Sequence, residues 1–201
     1  MGLNTALPSG ATPLDADELT GLIPTHLSHR QQLNEWEQRN IEAALLWLAR
    51  QRRPQPLDEP WLRRIHREMF GKTWRWAGTY RTSDKSIGAD WRQIRLQLPN
   101  LLADIAHQVE HNVDSPDVIA VGFHHRLVTI HPFPNGNGRH ARLMADVLIE
   151  QLGQPRFSWG GHGSLVDASA LRSDYIDALR QADRGNLEAL RAFARAHGAT
   201  P

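Results

Sequence analysis

A mainly α-helical fold carrying one small β-hairpin is the class this sequence predicts, and three observations predict it. Apolar residues recur at spacings of three and four through most of the chain, the stripe a helix needs to bury one face. One stretch, 74–98, breaks that rhythm with aromatic and β-branched residues around a polar turn, the pattern of a short hairpin. No internal repeat or low-complexity segment divides the 201 residues, which fit a single medium-sized domain.

Taken in order, residues 1–20 mix Pro, Gly, Ser, Thr and Asp without periodicity and read as a flexible lead-in, with the domain expected over 21–201. Leu33, Trp36, Ile41, Ala44, Leu45 and Leu48 give a helix over 32–50, closed by Pro54 and Pro56. Asp58, Glu59 and Pro60 supply a cap, an acid and a first-turn proline for a second helix. That helix carries Leu62, Ile65 and Met69 inward and stops at Gly71. Segments 74–82 and 94–98 are the expected hairpin strands, with 83–90 as the turn between them. Helices follow over 101–113 and 118–130; in the second, Ala120, Phe123, Leu127 and Ile130 share a face. A further helix spans 138–152 and ends at Gly153, and a Gly-rich loop at 154–166 precedes helices at 168–183 and 186–197.

Charge and composition exclude several functions. Lys plus Arg number 23 against 22 for Asp plus Glu, so bulk electrostatic capture of nucleic acid is not expected. The absence of cysteine removes disulfides, zinc–thiolate sites and thiol nucleophiles. The start of the chain lacks the basic and apolar regions of a signal peptide, and no run of 18 apolar residues occurs. A cytoplasmic protein with no membrane partner is the simplest expectation.

The chemistry concentrates in 131–142, His-Pro-Phe-Pro-Asn-Gly-Asn-Gly-Arg-His-Ala-Arg. Gly136 and Gly138 can take positive φ and let a ligand approach the backbone. Consecutive amides in such a turn form an anion-binding concavity, and the helix start that follows adds the positive end of its dipole. Arg139 and Arg142, three residues apart, can lean toward one mouth. Asn137 offers an uncharged amide donor, and His131 is the side chain suited to exchanging a proton near neutral pH. Phe133, apolar among polar neighbours, is expected to plug into the core and pin the loop.

This run resembles the Fic (Fido) signature, His-Pro-Phe-x-acid/Asn-Gly-Asn-Gly-Arg-x-x-Arg, at every defined position. The stretches 66–70 and 76–81 look like the lead into the family's flap, and 175–179 with 182–186 look like its closing helices. Segments 21–24 and 33–41 are similar to the subgroup called mobile mystery protein B. The resemblance implies a Fic-type helical bundle with a hairpin flap and a protein adenylyltransferase that moves AMP from ATP to a Ser, Thr or Tyr hydroxyl. It gives His131 the role of base and the turn of Gly136, Asn137 and Gly138 that of holding the α-phosphate. Arg139 and Arg142 would take the β- and γ-phosphates, with Phe133 and Asn135 completing the nucleotide site. Lys85 and Ile87 would clamp a target strand on the flap; the alternative for each is a solvated turn.

Two features leave the resemblance open. Position 135 is Asn where active members carry an acid to hold Mg²⁺, and a neutral amide is a poorer ligand for a hard dication. Many members are also silenced by a helix bearing Ser/Thr-x-x-x-Glu-Gly/Asn, whose Glu pairs with the second motif arginine. Here Leu33 and Gln38 fill the flanking positions, so Glu37 is either an inhibitory partner of Arg142 or a solvent-facing helix charge. Control by a small regulatory or antitoxin partner is the competing expectation. The alternative functions are a toxin-like nucleotide-binding regulator with weak catalysis, or another phosphate-transfer chemistry on the same loop. Trp74, Trp76 and Trp91 either anchor the flap or wall the pocket, and adjacent His124 and His125 diverge too far to share a metal with His131.

Overall fold

The computed structural model describes residues 13–27, 29–161, 165 and 169–196. Eight α-helices run in order among these: α1 (Ala16–Leu19), α2 (Arg30–Leu48), α3 (Glu59–Phe70), α4 (Ile94–Glu110), α5 (Pro116–Ile130), α6 (Asn137–Gln151), α7 (Ala170–Ala182) and α8 (Glu188–Arg195). Local chemistry sets the ends. Asp58 accepts from the Trp61 amide at 3.0 Å to cap α3, and Ser115 accepts from the Val118 amide at 3.5 Å ahead of Pro116 to open α5.

Helices α5 and α6 form the centre and share the most extensive packing of the bundle. Phe123, Leu127, Met144 and Leu148 are almost wholly buried between them and their neighbours. Each such side chain contributes about 1.5–3 kcal/mol by leaving water. The core therefore grips both helices that flank the 131–136 turn, and the turn inherits their rigidity. Helix α2 packs on α3, and α7 packs on α8. None of the described helices is long and apolar enough to cross a membrane.

The expected hairpin is not formed. Residues 74–93 follow turns, bends and a single 3₁₀ turn at Trp91–Gln93, and Trp74 pairs with Leu22 in an isolated β-bridge. Segment 94–98 opens α4 instead. Its alternation of Ile94, Leu96 and Leu98 imitates a strand, but Ile94, Leu98, Leu101, Leu102 and Ile105 are buried at helical spacing while Leu96 is exposed. Pro99 is accommodated inside that helix.

The lead-in also needs correction over its described part. Residues 16–19 form α1, and Asp15 and Glu18 hold Lys85 at 2.8 and 2.5 Å. Trp76 Nε1 donates to Glu18 O at 3.0 Å, and the Arg75 amide donates to Gly21 O at 2.9 Å. Residues 1–12, and most of the Gly-rich loop beyond Gly161, lie outside the described residues.

Candidate active site

Helix α5 ends in a left-handed residue, His131, with φ 54° and ψ 59°. That conformation costs a non-glycine residue about 1–3 kcal/mol and persists only where its surroundings impose it. Here the His131 amide donates to Leu127 O at 3.1 Å, closing the helix as the chain turns away. The ring Nδ1 lies 3.3 Å from Val128 O. A carbonyl only accepts, so Nδ1 carries the proton and Nε2 is the basic nitrogen. Burial pushes the imidazole down to about 4; the Val128 carbonyl opposes this, while Arg81 and Lys85 add to it. The ring is thus neutral near pH 7, and burial makes it a weaker base than a free imidazole.

The turn that follows is pinned from below. Phe133 is fully buried and stacks on His66, with ring centres 3.7 Å apart. His66 accepts from the Gly78 amide on Nδ1 at 3.0 Å, which leaves Nε2–H to donate to Asn135 O at 3.0 Å. Burial holds His66 well below its ordinary pKa, consistent with this neutral tautomer. The Asn137 side chain, which the sequence offered as a donor to a ligand, is engaged with its own loop. Its Oδ1 accepts from the Phe133 amide at 2.9 Å and its Nδ2 donates to Phe133 O at 2.7 Å. Both polar atoms hold the loop, and one N–H of Nδ2 is left over.

Gly136 caps α6 at φ 80° with no side-chain cap. A Cβ there would lie 2.6 Å from the Phe70 ring, so glycine is required twice over. The first intrahelical bond runs from the His140 amide to Gly136 O at 2.9 Å. The amides of Asn137, Gly138 and Arg139 therefore keep their donors for an anion at the positive end of the helix. Asn135 Oδ1 accepts from the Gly136 amide at 2.5 Å. It is turned back on its own loop, and no cluster of His, Asp or Glu fit for a metal occurs among the described residues.

The two arginines have different partners. Arg139 Nη1 donates to Glu37 Oε2 at 2.7 Å, and its guanidinium lies 4.8 Å from the Phe70 ring centre. Glu37 is buried, and its other oxygen accepts from Trp74 Nε1 at 2.6 Å. Neither expectation for Glu37 holds: it pairs with the first arginine, not with Arg142, and it does not face solvent. Arg142 sits over the Tyr175 ring at 5.3 Å, and the Tyr175 hydroxyl lies 3.0 Å from His124 Nε2. Arg139 and Arg142 border a cavity of about 1080 Å³, together with Met69, Leu143, Asp146 and Trp159. Burial raises the Asp146 carboxyl to about 7, against the pull of the Trp159 indole N–H at 2.9 Å.

Of the flap residues, Ile87 is exposed, whereas Lys85 is buried against Asp15 and Glu18. Trp74 and Trp76 stack at 5.0 Å and serve as anchors. The residues missed by sequence reasoning as parts of this site are His66, Arg81 and Tyr175. Their local signals were visible within the flanking similarities, but their partners lie far along the chain.

Residues 56–149 match the family model described as Fic/DOC family. A probable protein adenylyltransferase of Aquifex aeolicus is 31% identical over 100 residues, 49% of this chain and 28% of that protein. The chain thus spans under a third of that relative's length. The N-terminal Fic domain of a Bartonella effector protein from Bartonella sp. AR 15-3 superposes with a TM-score of 0.69 at 16% identity, covering 92% of this chain and 93% of that one. A Bartonella quintana Fic domain with bound ADP does so with a TM-score of 0.62 at 20% identity, over 85% and 86% of the two chains. The matched segment, just under half of the chain, contains His131, the 131–136 turn, Arg139 and Arg142, and over it the chain is similar to the Fic/DOC family.

Proposed function

We propose that this chain is a protein adenylyltransferase, moving AMP from ATP to a Ser, Thr or Tyr hydroxyl of a target protein. One observation carries the reading: a neutral, buried imidazole with Nε2 as its basic atom stands one turn ahead of a helix start whose first amides and two arginines suit a polyphosphate. His131 Nε2 takes the proton of the attacking hydroxyl as its oxygen bonds to the α-phosphorus. The bond from that phosphorus to the bridging oxygen breaks, and pyrophosphate leaves. Amides of Asn137, Gly138 and Arg139 bear the charge that grows on the α-phosphate, and Arg139 and Arg142 bear that on the leaving group. The adenylyltransferase relatives and the ADP-bound domain support the nucleotide and the reaction. Mg²⁺ enters this scheme only as a companion of ATP, because Asn135 is engaged within its own loop.

Glu37 supports a restrained resting state. A phosphate seated on Arg139 must compete with a carboxylate already 2.7 Å away, so catalysis is expected to be slow until that pair opens. The same pair favours the second reading, a nucleotide-binding regulator with weak activity and a toxin-like role in the cytoplasm. A small antitoxin-like partner would act on the same pair, and Ile87 would meet the target on the 83–90 loop. ATP labelled on the α or the γ phosphate separates these readings. Label on protein from the α position alone supports adenylylation; label from γ alone supports phosphoryl transfer, and label from neither supports the binding role.

A further inference from the structure

Arg81 takes part in none of these steps, yet its side chain is fully buried and its donors reach backbone on two segments. Toward the base, Nε donates to His131 O at 2.7 Å and Nη2 faces Ile130 O at 3.4 Å. Toward the loop, Nη1 donates to Ser83 O at 2.8 Å and Nη2 donates to Ala89 O. Its own backbone amide donates to Pro132 O at 3.0 Å. The nearest carboxylate, Asp84, is exposed and 3.8 Å away, so carbonyl dipoles carry most of the compensation for the buried charge. Only a planar fork of five N–H groups can serve carbonyls on opposite sides at once.

The loop is also pressed directly onto the base. Gly88 has φ 108°, and a Cβ there would lie 2.6 Å from His131 Cβ and 3.0 Å from Arg81 Nη2. His131 meanwhile holds a backbone conformation that its side chain disfavours, with its carbonyl taken by Arg81. Arg81 does not border the cavity of the two arginines.

We propose that Arg81 is a positioning residue: it fixes His131 in its left-handed conformation and clamps the 83–89 loop against it, so that base and loop move as one unit. The inference rests on the adenylyltransferase reading for its catalytic consequence, but its structural content is independent of it. With α-labelled ATP, Arg81→Gln is expected to lower the rate at saturating ATP about 100-fold, the scale of a base displaced by an ångström. The ATP concentration giving half that rate should stay within about threefold, because the phosphate side is untouched. Arg81→Lys, which can reach only some of the carbonyls, should recover part of the loss. Gly88→Ala keeps every guanidinium donor but sets a Cβ against both His131 Cβ and Arg81 Nη2, wedging loop from base, and should lower the rate likewise. Histidine-selective NMR provides the second readout: His131 ring signals move in Arg81→Lys while those of His124 and His140 stay. An unchanged saturating rate in Arg81→Gln, or ATP affinity lost in step with rate, would overturn the proposal. Unmoved His131 signals in both Arg81→Lys and Gly88→Ala would also overturn it, even if the wild type transfers no label. That last result by itself defeats the adenylyltransferase reading alone.

Discussion

Two arginines three residues apart on one helix face the same cavity, yet they are held in opposite ways. Arg139 is tied to a buried carboxylate that Trp74 also grips, whereas Arg142 rests on the Tyr175 ring with His124 behind it. An anion approaching Arg139 must displace a charge, while an anion approaching Arg142 meets a neutral tyrosine and has no charge to displace. The pair teaches that spacing on a helix predicts which side chains share a mouth, and that elements far away decide which of them is available.

Removing either support should separate the two roles. Arg142→Ala is expected to lower kcat/KM for AMP transfer about 100-fold or more, since a desolvated charge pair lost to truncation costs about 2–5 kcal/mol. Steady-state rates over a range of ATP would show this, and a loss below threefold would mean that Arg142 does not engage the triphosphate. Glu37→Gln should act in the opposite sense, raising kcat/KM about tenfold as Arg139 is released from its partner. Isothermal titration should show tighter ATP binding in that variant; equal affinity would make the pair a scaffold and not a restraint. Tyr175→Phe keeps the ring beneath Arg142 and loses only the hydroxyl with its bond to His124, so a change of roughly two- to threefold is expected, the low end of a net hydrogen bond of about 0.5–1.5 kcal/mol.

The support under Arg142 has a pH signature. Burial pushes His124 down to about 3 and His140 to about 4, both below the ordinary 6.5. The unfolded chain therefore takes up protons first as the pH falls. Stability is present in full above about 6.5, the unfolded value, and declines as the pH drops toward the folded values. Melting temperatures measured between pH 7 and 4, conditions chosen around roughly these pKa values, should fall steadily. Replacing His124 with Gln should flatten the slope, and an unchanged slope would remove His124 from the account.

Much of this was legible in the sequence, and the failures have physical causes. The 131–142 run announced its turn and the placing of two arginines at one cavity because glycine and arginine have narrow physical uses at a helix start. The hold of Asn137 on Phe133 was not legible, because an amide serves a ligand or a backbone equally well and only the fold shows the two bonds to Phe133. Segment 94–98 alternates like a strand, and burial at helical spacing decides against that pattern once the neighbouring helices are in place. Glu37 was the right residue for an arginine partner, but its choice of Arg139 spans 102 positions and depends on how α2, packed on α3, brings Glu37 to the start of α6. No local rule carries that information.

The hydrogen bond from Trp74 to Glu37 has an optical consequence. An indole whose N–H is bound to a buried carboxylate emits according to that partner, and the carboxylate in question is the one a phosphate would have to pull from Arg139. Trp74 is therefore a built-in fluorophore on the resting contact. Subtracting the spectrum of Trp74→Phe from that of the parent isolates its emission from the other tryptophans, and following it during nucleotide titration reads the opening of the Glu37–Arg139 pair without any label.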